Sequence, residues 1–183
     1  MIKPTILSAN KSARKYSTGD IALIGLLAAT LTGGKAVLSV IPNVEVVTLL
    51  ITLYAVRLGL RRALPATLIF CAVESLIWGF QYYLVTYFIY WPCLAVFAYL
   101  ISKRTRAFWA FLIYAVLMTV FFGILSSFID TLFMTSRPTF RFFFIRYLNG
   151  IPFYTAQIIC NIVLFATAFK PLSELPVFNR YRE

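Results

Sequence analysis

The sequence predicts an all-α integral membrane protein: a bundle of six transmembrane helices with both termini cytoplasmic. Three observations carry that prediction. First, 61% of the 183 residues are hydrophobic, only 13% are charged, and the mean hydropathy is +0.86. Soluble domains hold about 45–50% apolar residues, so this chain has more apolar surface than a soluble fold of its size can hide. Second, the apolar residues fall into long runs near the ~20 residues that a bilayer crossing needs, without the sustained alternation of a strand or the repeated ten-residue segments of a barrel. Third, lysine and arginine are distributed unevenly between alternate connections, as the positive-inside rule requires.

The expected spans are 21–40, 43–58, 63–80, 83–101, 107–128 and 150–170. The first opens after Asp20, an N-cap residue type. The second and third are short. Between the second and first lies "VIPNVEVVTLL" at 40–50, where Pro42, Asn43 and Glu45 interrupt a chain that is apolar on both sides. Lipid solvates neither a bent backbone nor a carboxylate, so this turn must face water, protein or a cavity. The fifth and sixth spans are joined by a long connection, 129–149, rich in Phe and Arg. It is too aromatic for a solvated loop and is expected to lie at the interface or fold back over the bundle. Residues 1–19 and 173–183 read as polar tails flanking a membrane domain over 20–172. The first twenty residues show no cleavable signal pattern.

With the N-terminus inside, the inner segments hold Lys3, Lys11, Arg14, Lys15, Arg57, Arg61, Arg62, Lys103, Arg104, Arg106, Lys170, Arg180 and Arg182. The outer segments hold Lys35, Arg137, Arg141 and Arg146. Every inner segment is basic, which orients the bundle and also accounts for the net charge of +11 without nucleic acid.

Several chemistries are excluded or unsupported. Histidine is absent, which removes Ser-His and Cys-His catalysis and histidine metal sites. Cys71, Cys93 and Cys160 lie far apart in apolar runs and read as buried hydrophobes. No GxxxxGK[ST] loop occurs, so the chain does not hydrolyse ATP itself. No catalytic residue, metal site or cofactor is therefore expected. Glu45 and Glu74 could serve a membrane enzyme as carboxylates, but no nucleophile accompanies them. A structural or assembly protein without a ligand is a further alternative.

Polar residues collect at the outward helix ends. Glu45 and Thr48 open the second helix. Glu74 and Trp78, at i and i+4, share a face of the third. Gln81, Tyr82 and Tyr83 connect it to the fourth, where Tyr87, Tyr90 and Trp91 follow. Asn149 and Gly150 precede the sixth helix, on which Tyr154, Gln157 and Asn161 share a face. Aromatics also gather at membrane interfaces without binding anything, and amides also bond neighbouring helices. A membrane carboxylate such as Glu74 costs about 3 kcal/mol near a helix centre and faces either a ligand or a partner helix. On the inward half of the first helix, Gly25-xxx-Ala29 and Ala28-xxx-Thr32 are small-xxx-small pairs that permit close helix approach, within the molecule or to a partner.

Three stretches in order, IPNVEVVTLLITLYAVRLG at 41–59, ESLIWGFQYYLVTYFIYWP at 74–92 and YLNGIPFYTAQIICNIVLFATAFKPL at 147–172, resemble the substrate-binding membrane subunit (S component) of energy-coupling factor (ECF) vitamin transporters. The resemblance covers about 20–172. It implies six helices, no enzymatic activity, and an outward pocket roofed by the loops after helices one, three and five. It also implies assembly in a bacterial plasma membrane with a transmembrane coupling subunit and two cytoplasmic ATPases. Carried over residue by residue, the vitamin pocket would comprise Asn43, Glu45, Glu74, Trp78, Tyr82, Asn149, Tyr154, Gln157 and Asn161. The coupling face would comprise Ala22, Gly25, Ala28 and Ala29. Many such relatives carry a histidine near Gln157, so the contact there differs. The vitamin itself is open: Arg137, Arg141 and Arg146 suit an anionic group, as in cobalamin or folate, or equally lipid phosphates.

Overall fold

A computed structural model describes residues 15–41 and 44–180, and among these the chain is helical with no strand. Six principal helices follow in order: α1 (Thr18–Leu38), α2 (Val47–Leu58), α3 (Leu60–Trp78), α4 (Tyr83–Arg104), α5 (Phe108–Met134) and α6 (Phe140–Leu164). A π-helical segment, Phe165–Phe169, continues α6 into α7 (Lys170–Ser173), and α8 (Pro176–Arg180) follows.

The joints explain the topology. Gly59 and Gly79 both adopt φ of 79° with extended ψ, a region essentially reserved for glycine. Gly59 is the single residue between α2 and α3, and it reverses the chain there. At the start of α1 the cap is Ser17 rather than Asp20. Asp20 is the third helical residue: it donates its amide to Ser17 Oγ (3.1 Å) and its carboxylate accepts the Ser17 amide (3.1 Å), a reciprocal capping box. The same carboxylate accepts from Arg62 Nε at 2.8 Å, which ties the start of α1 to the start of α3.

Helix α2 is the axis of the bundle. Nine of its 12 residues are buried, because it is apolar on all sides and neighbours cover it all round. Around it, α1 packs on α3, α3 on α4, α4 on α5 and α5 on α6, the last being the most extensive pairing. Leu31, Leu49, Ile51, Phe70, Leu94, Phe111 and Phe165 are fully buried in the resulting core. The outside is apolar as well: Leu26, Ile69, Phe97, Ile113, Leu117, Ile124, Phe128, Phe144 and Ile159 are exposed. Such a perimeter suits lipid and not water.

Four helical stretches are long and apolar enough to cross a membrane: Thr18–Leu38, Tyr83–Arg104, Phe108–Met134 and the continuous Phe140–Ser173. The other two predicted spans are helices of a different kind. α2, expected over 43–58, is a 12-residue apolar core helix, and α3, expected over 63–80, carries Arg61, Arg62 and Glu74 along its 19 residues. The expected connection over 129–149 is corrected by the structure. α5 continues to Met134 and α6 begins at Phe140 with Thr139 as N-cap, its hydroxyl accepting from the Phe142 amide at 3.2 Å. Within the Phe-rich stretch Phe142, Phe143 and Tyr147 are half-buried, whereas Phe140, Phe144, Ile145 and Leu148 are exposed.

The bundle has two chemically distinct ends. Residues 15–20, 57–62, 102–106 and 170–174 lie at the basic end; Ser39–Ile41, Val44–Val46, Gly79–Tyr82 and 135–139 lie at the opposite end, here called the cap end. In a variant whose native cysteines are replaced by serine, a cysteine at Ser136 and one at Glu174, both exposed, should react with an impermeant thiol reagent from opposite sides of a sealed vesicle. Reaction of both from one side would break this arrangement.

Candidate functional site

At the cap end the bundle forms a partly open cavity of about 210 Å³. It exists because α2 is short. Its first turn begins below the ends of its neighbours, and the space above is walled by Lys35 and Ser39 of α1, Tyr87 and Trp91 of α4, Phe122 of α5 and Gln157 of α6. Val44, Glu45 and Val47 form the floor where α2 begins.

Glu45 organises that floor. Its carboxylate accepts the Thr48 amide at 3.3 Å and the Thr48 hydroxyl, so it caps the otherwise uncapped start of α2 and complements the positive end of the helix dipole. Gln157 Nε2 donates to the same carboxylate at 3.0 Å. The Cys160 thiol lies 3.6 Å from the Glu45 carbonyl. Helix α6 thereby clasps the segment that leads into α2. One turn further along, fully buried Asn161 donates from Nδ2 to Thr119 Oγ1 of α5 at 3.0 Å. Gln157 and Asn161 share the inner face of α6, as their spacing predicts.

Lys35 forms the opposite wall. Its ammonium is ion-paired with Glu74 of α3, sits 4.8 Å from the centre of the Tyr87 ring, and donates to the Tyr87 hydroxyl at 3.4 Å. Glu74 is 2% exposed, so a carboxylate sunk in an apolar bundle is matched by one cation. Of the two fates the sequence left open for Glu74, the structure shows the partner helix.

Trp91 is packed edge-on against Phe70, Tyr87 and Tyr90 and is 4% exposed. Among the described residues its indole N–H has no hydrogen-bond partner, as is also true of Thr86 Oγ1, Tyr90 Oη and Asn161 Oδ1. An unpartnered buried donor costs about 1–3 kcal/mol, and native proteins place few of them.

The nine predicted pocket residues therefore separate. Glu45 and Gln157 line the cavity and bond each other, while Glu74 and Asn161 lie buried beside it, engaged with other helices. Asn43, like Pro42, lies outside the described residues. The rest are elsewhere. Trp78 is 54% exposed at the end of α3. Tyr82 stacks on Phe133 with its hydroxyl 3.3 Å from Met134 sulfur. Asn149 is exposed. Tyr154 points into the α5–α6 seam, over Gly123 and Gly150, with its hydroxyl 3.3 Å from Ser127 Oγ. Of the outer arginines, Arg146 is ion-paired with Asp130, and Arg137 and Arg141 are exposed beyond the cavity. On α1, Ala22, Gly25 and Ala29 share the outward face, whereas Ala28 is buried in the core.

Lys35 and Phe122 were not among the expected pocket residues. Lys35 had a readable signal: a lysine within an apolar helix is as costly as Glu74 and had to find a counter-charge. Phe122 had none, being one aromatic among many on α5. Known protein families, curated proteins and solved structures contain no match to this chain.

Proposed function

We propose that this protein is the substrate-binding subunit of an ECF-type transporter that captures a vitamin or related micronutrient in the cap-end cavity. In this reading all six helices cross a bacterial plasma membrane, the basic end faces the cytoplasm and the cap end faces out. The observation that carries the reading is a cavity lined by Tyr87, Trp91 and Phe122 on which the polar side chains of Lys35, Glu45 and Gln157 converge.

The ligand is compact. Pockets for drug-sized molecules measure about 300–1,000 Å³, and this one is smaller, which favours a one- or two-ring compound over cobalamin. Stacking on Trp91 or Tyr87 and a polar group near Lys35, Glu45 or Gln157 would hold it. Binding is favoured over catalysis because both carboxylates are already engaged, Glu45 as a helix cap and Glu74 with Lys35. The outward small-residue face of Ala22, Gly25 and Ala29 suits close approach of a transmembrane coupling subunit, which two cytoplasmic ATPases would drive.

The test is small-molecule mass spectrometry of the protein purified in mild detergent, followed by titration of the co-purifying compound. Glu45→Ala should weaken its binding roughly 10- to 150-fold, because the charge-assisted bond that holds the Gln157 amide in the cavity, worth ~1.5–3 kcal/mol, is lost. The same variant should lose about 1 kcal/mol of stability through the missing cap. No retained compound, or unchanged affinity in the variant, would refute the proposal.

A further inference from the structure

The two charged walls of the cap-end cavity differ in how their charge is met. The Lys35 ammonium is ion-paired with Glu74 and rests against the Tyr87 ring, so that wall is matched within the protein. The Glu45 carboxylate takes its hydrogen bonds from neutral groups: the Thr48 amide at 3.3 Å, the Thr48 hydroxyl, and the Gln157 amide at 3.0 Å. The positive end of α2 offsets roughly half of one charge there. Glu45 is half-buried and borders the open space, so an entering molecule can meet the rest of that charge.

Three aromatic residues, Tyr87, Trp91 and Phe122, share the walls with it. Aromatic rings attract cations, indole most strongly. The cavity already shows this use, since the Lys35 ammonium lies 4.8 Å from the centre of the Tyr87 ring. Trp91 and Phe122 offer the same contact to a ligand. An anion has the opposite prospects. It would have to draw Lys35 away from Glu74, stranding a carboxylate that is 2% exposed, and would share the cavity with Glu45. We infer that the molecule captured in the cap-end cavity is a compact organic cation, a one- or two-ring compound whose charge sits on nitrogen, held between the Glu45 carboxylate and the rings of Trp91 and Phe122. This rests on the capture reading above and adds to it the sign of the ligand's charge.

The probe is 1-methylquinolinium, titrated into the full-length protein in mild detergent and followed by calorimetry. Quinoline, which is neutral at physiological pH, and the anion 1-naphthoate are the matched arms. Wild type should bind 1-methylquinolinium saturably and about 30-fold more tightly than quinoline, with 1-naphthoate the weakest of the three. Glu45→Gln keeps a carbonyl oxygen for the Thr48 amide and removes the charge. It should weaken 1-methylquinolinium by about 10-fold and leave quinoline within about twofold. Trp78→Ala, outside the cavity, should change neither. Equal affinity of wild type for the cation and quinoline would overturn the inference, as would a preference for 1-naphthoate or a Glu45→Gln variant that keeps the full cation preference. If that variant fails to fold, the wild-type comparison decides alone. A co-purifying compound that is neutral or anionic would sink the inference and leave the capture reading standing, whereas failure of the capture reading shows itself as no retained compound at all.

Discussion

Lys35→Met should destabilise the protein more than any other single substitution in the membrane core. It removes the cation that, among the described residues, pairs with Glu74, and strands a carboxylate whose side chain is 3% exposed. Breaking a buried pair from one side typically costs about 3–5 kcal/mol. The reciprocal change, Glu74→Leu, should cost less, because the Lys35 side chain is 25% exposed, borders the cavity and keeps its contact with the Tyr87 ring. The double variant Lys35→Met/Glu74→Leu should return to within about 1 kcal/mol of wild type, since a well-packed apolar pair often replaces a buried ion pair without loss. Unfolding in mixed micelles by SDS titration measures all three. A double variant as unstable as Lys35→Met alone would show that the charges do not act as a pair.

Gly150→Ala should change sign with its background. In wild type a Cβ at this position would lie 2.5 Å from Tyr154 Cε2, Cζ and Oη. The ring has little room to retreat, because a Cβ on Gly123 of α5 would meet the same ring at 2.9 Å. Overpacking of this kind costs about 1–3 kcal/mol and outweighs the ~1 kcal/mol by which alanine is the better helix former. In a Tyr154→Ala background the clash is gone and only the propensity remains, so the same substitution should stabilise by up to about 1 kcal/mol. The coupling in this double-mutant cycle is the measurement. Equal effects in both backgrounds would mean that Tyr154 does not occupy the glycine-floored seam.

The sequence made the helical class legible because apolar runs of this length have few other outcomes. It misplaced the ends of α5 and α6 because Phe and Arg in 129–149 resemble an interfacial loop. An apolar residue at a membrane interface and one on a lipid-facing helix look alike in sequence, so composition alone did not separate the two. The same reason divides the predicted site. Glu45 and Gln157 were readable since a polar residue inside an apolar span must find a partner, and they found each other. Trp78, Tyr82, Asn149 and Tyr154 were drawn in by their position near the outward end. Aromatics and amides tolerate that interface for many reasons, so depth along the axis did not say which way a side chain points. On α1 the small residues are alike in sequence, and only packing distinguishes buried Ala28 from exposed Ala22, Gly25 and Ala29.

Helices α1, α3 and α4, with 21, 19 and 22 residues, are each about 30 Å long. Helix α5, with 27, is about 40 Å long and still presents Phe128, Leu132, Phe133 and Met134 to the outside at its far end. The lipid-facing perimeter is therefore taller on one flank than on the other. A hydrocarbon layer of about 30 Å fits the spans of α1 and α4 and falls short of α5 and of the continuous Phe140–Ser173, so a bilayer around them must thicken there or the molecule must lean. Leaning is the softer response, costing a fraction of a kcal/mol per Å of mismatch. Membrane thickness is thus a control variable for this protein: thin bilayers increase its lean and thick ones bring it upright, with no bond in the bundle changed.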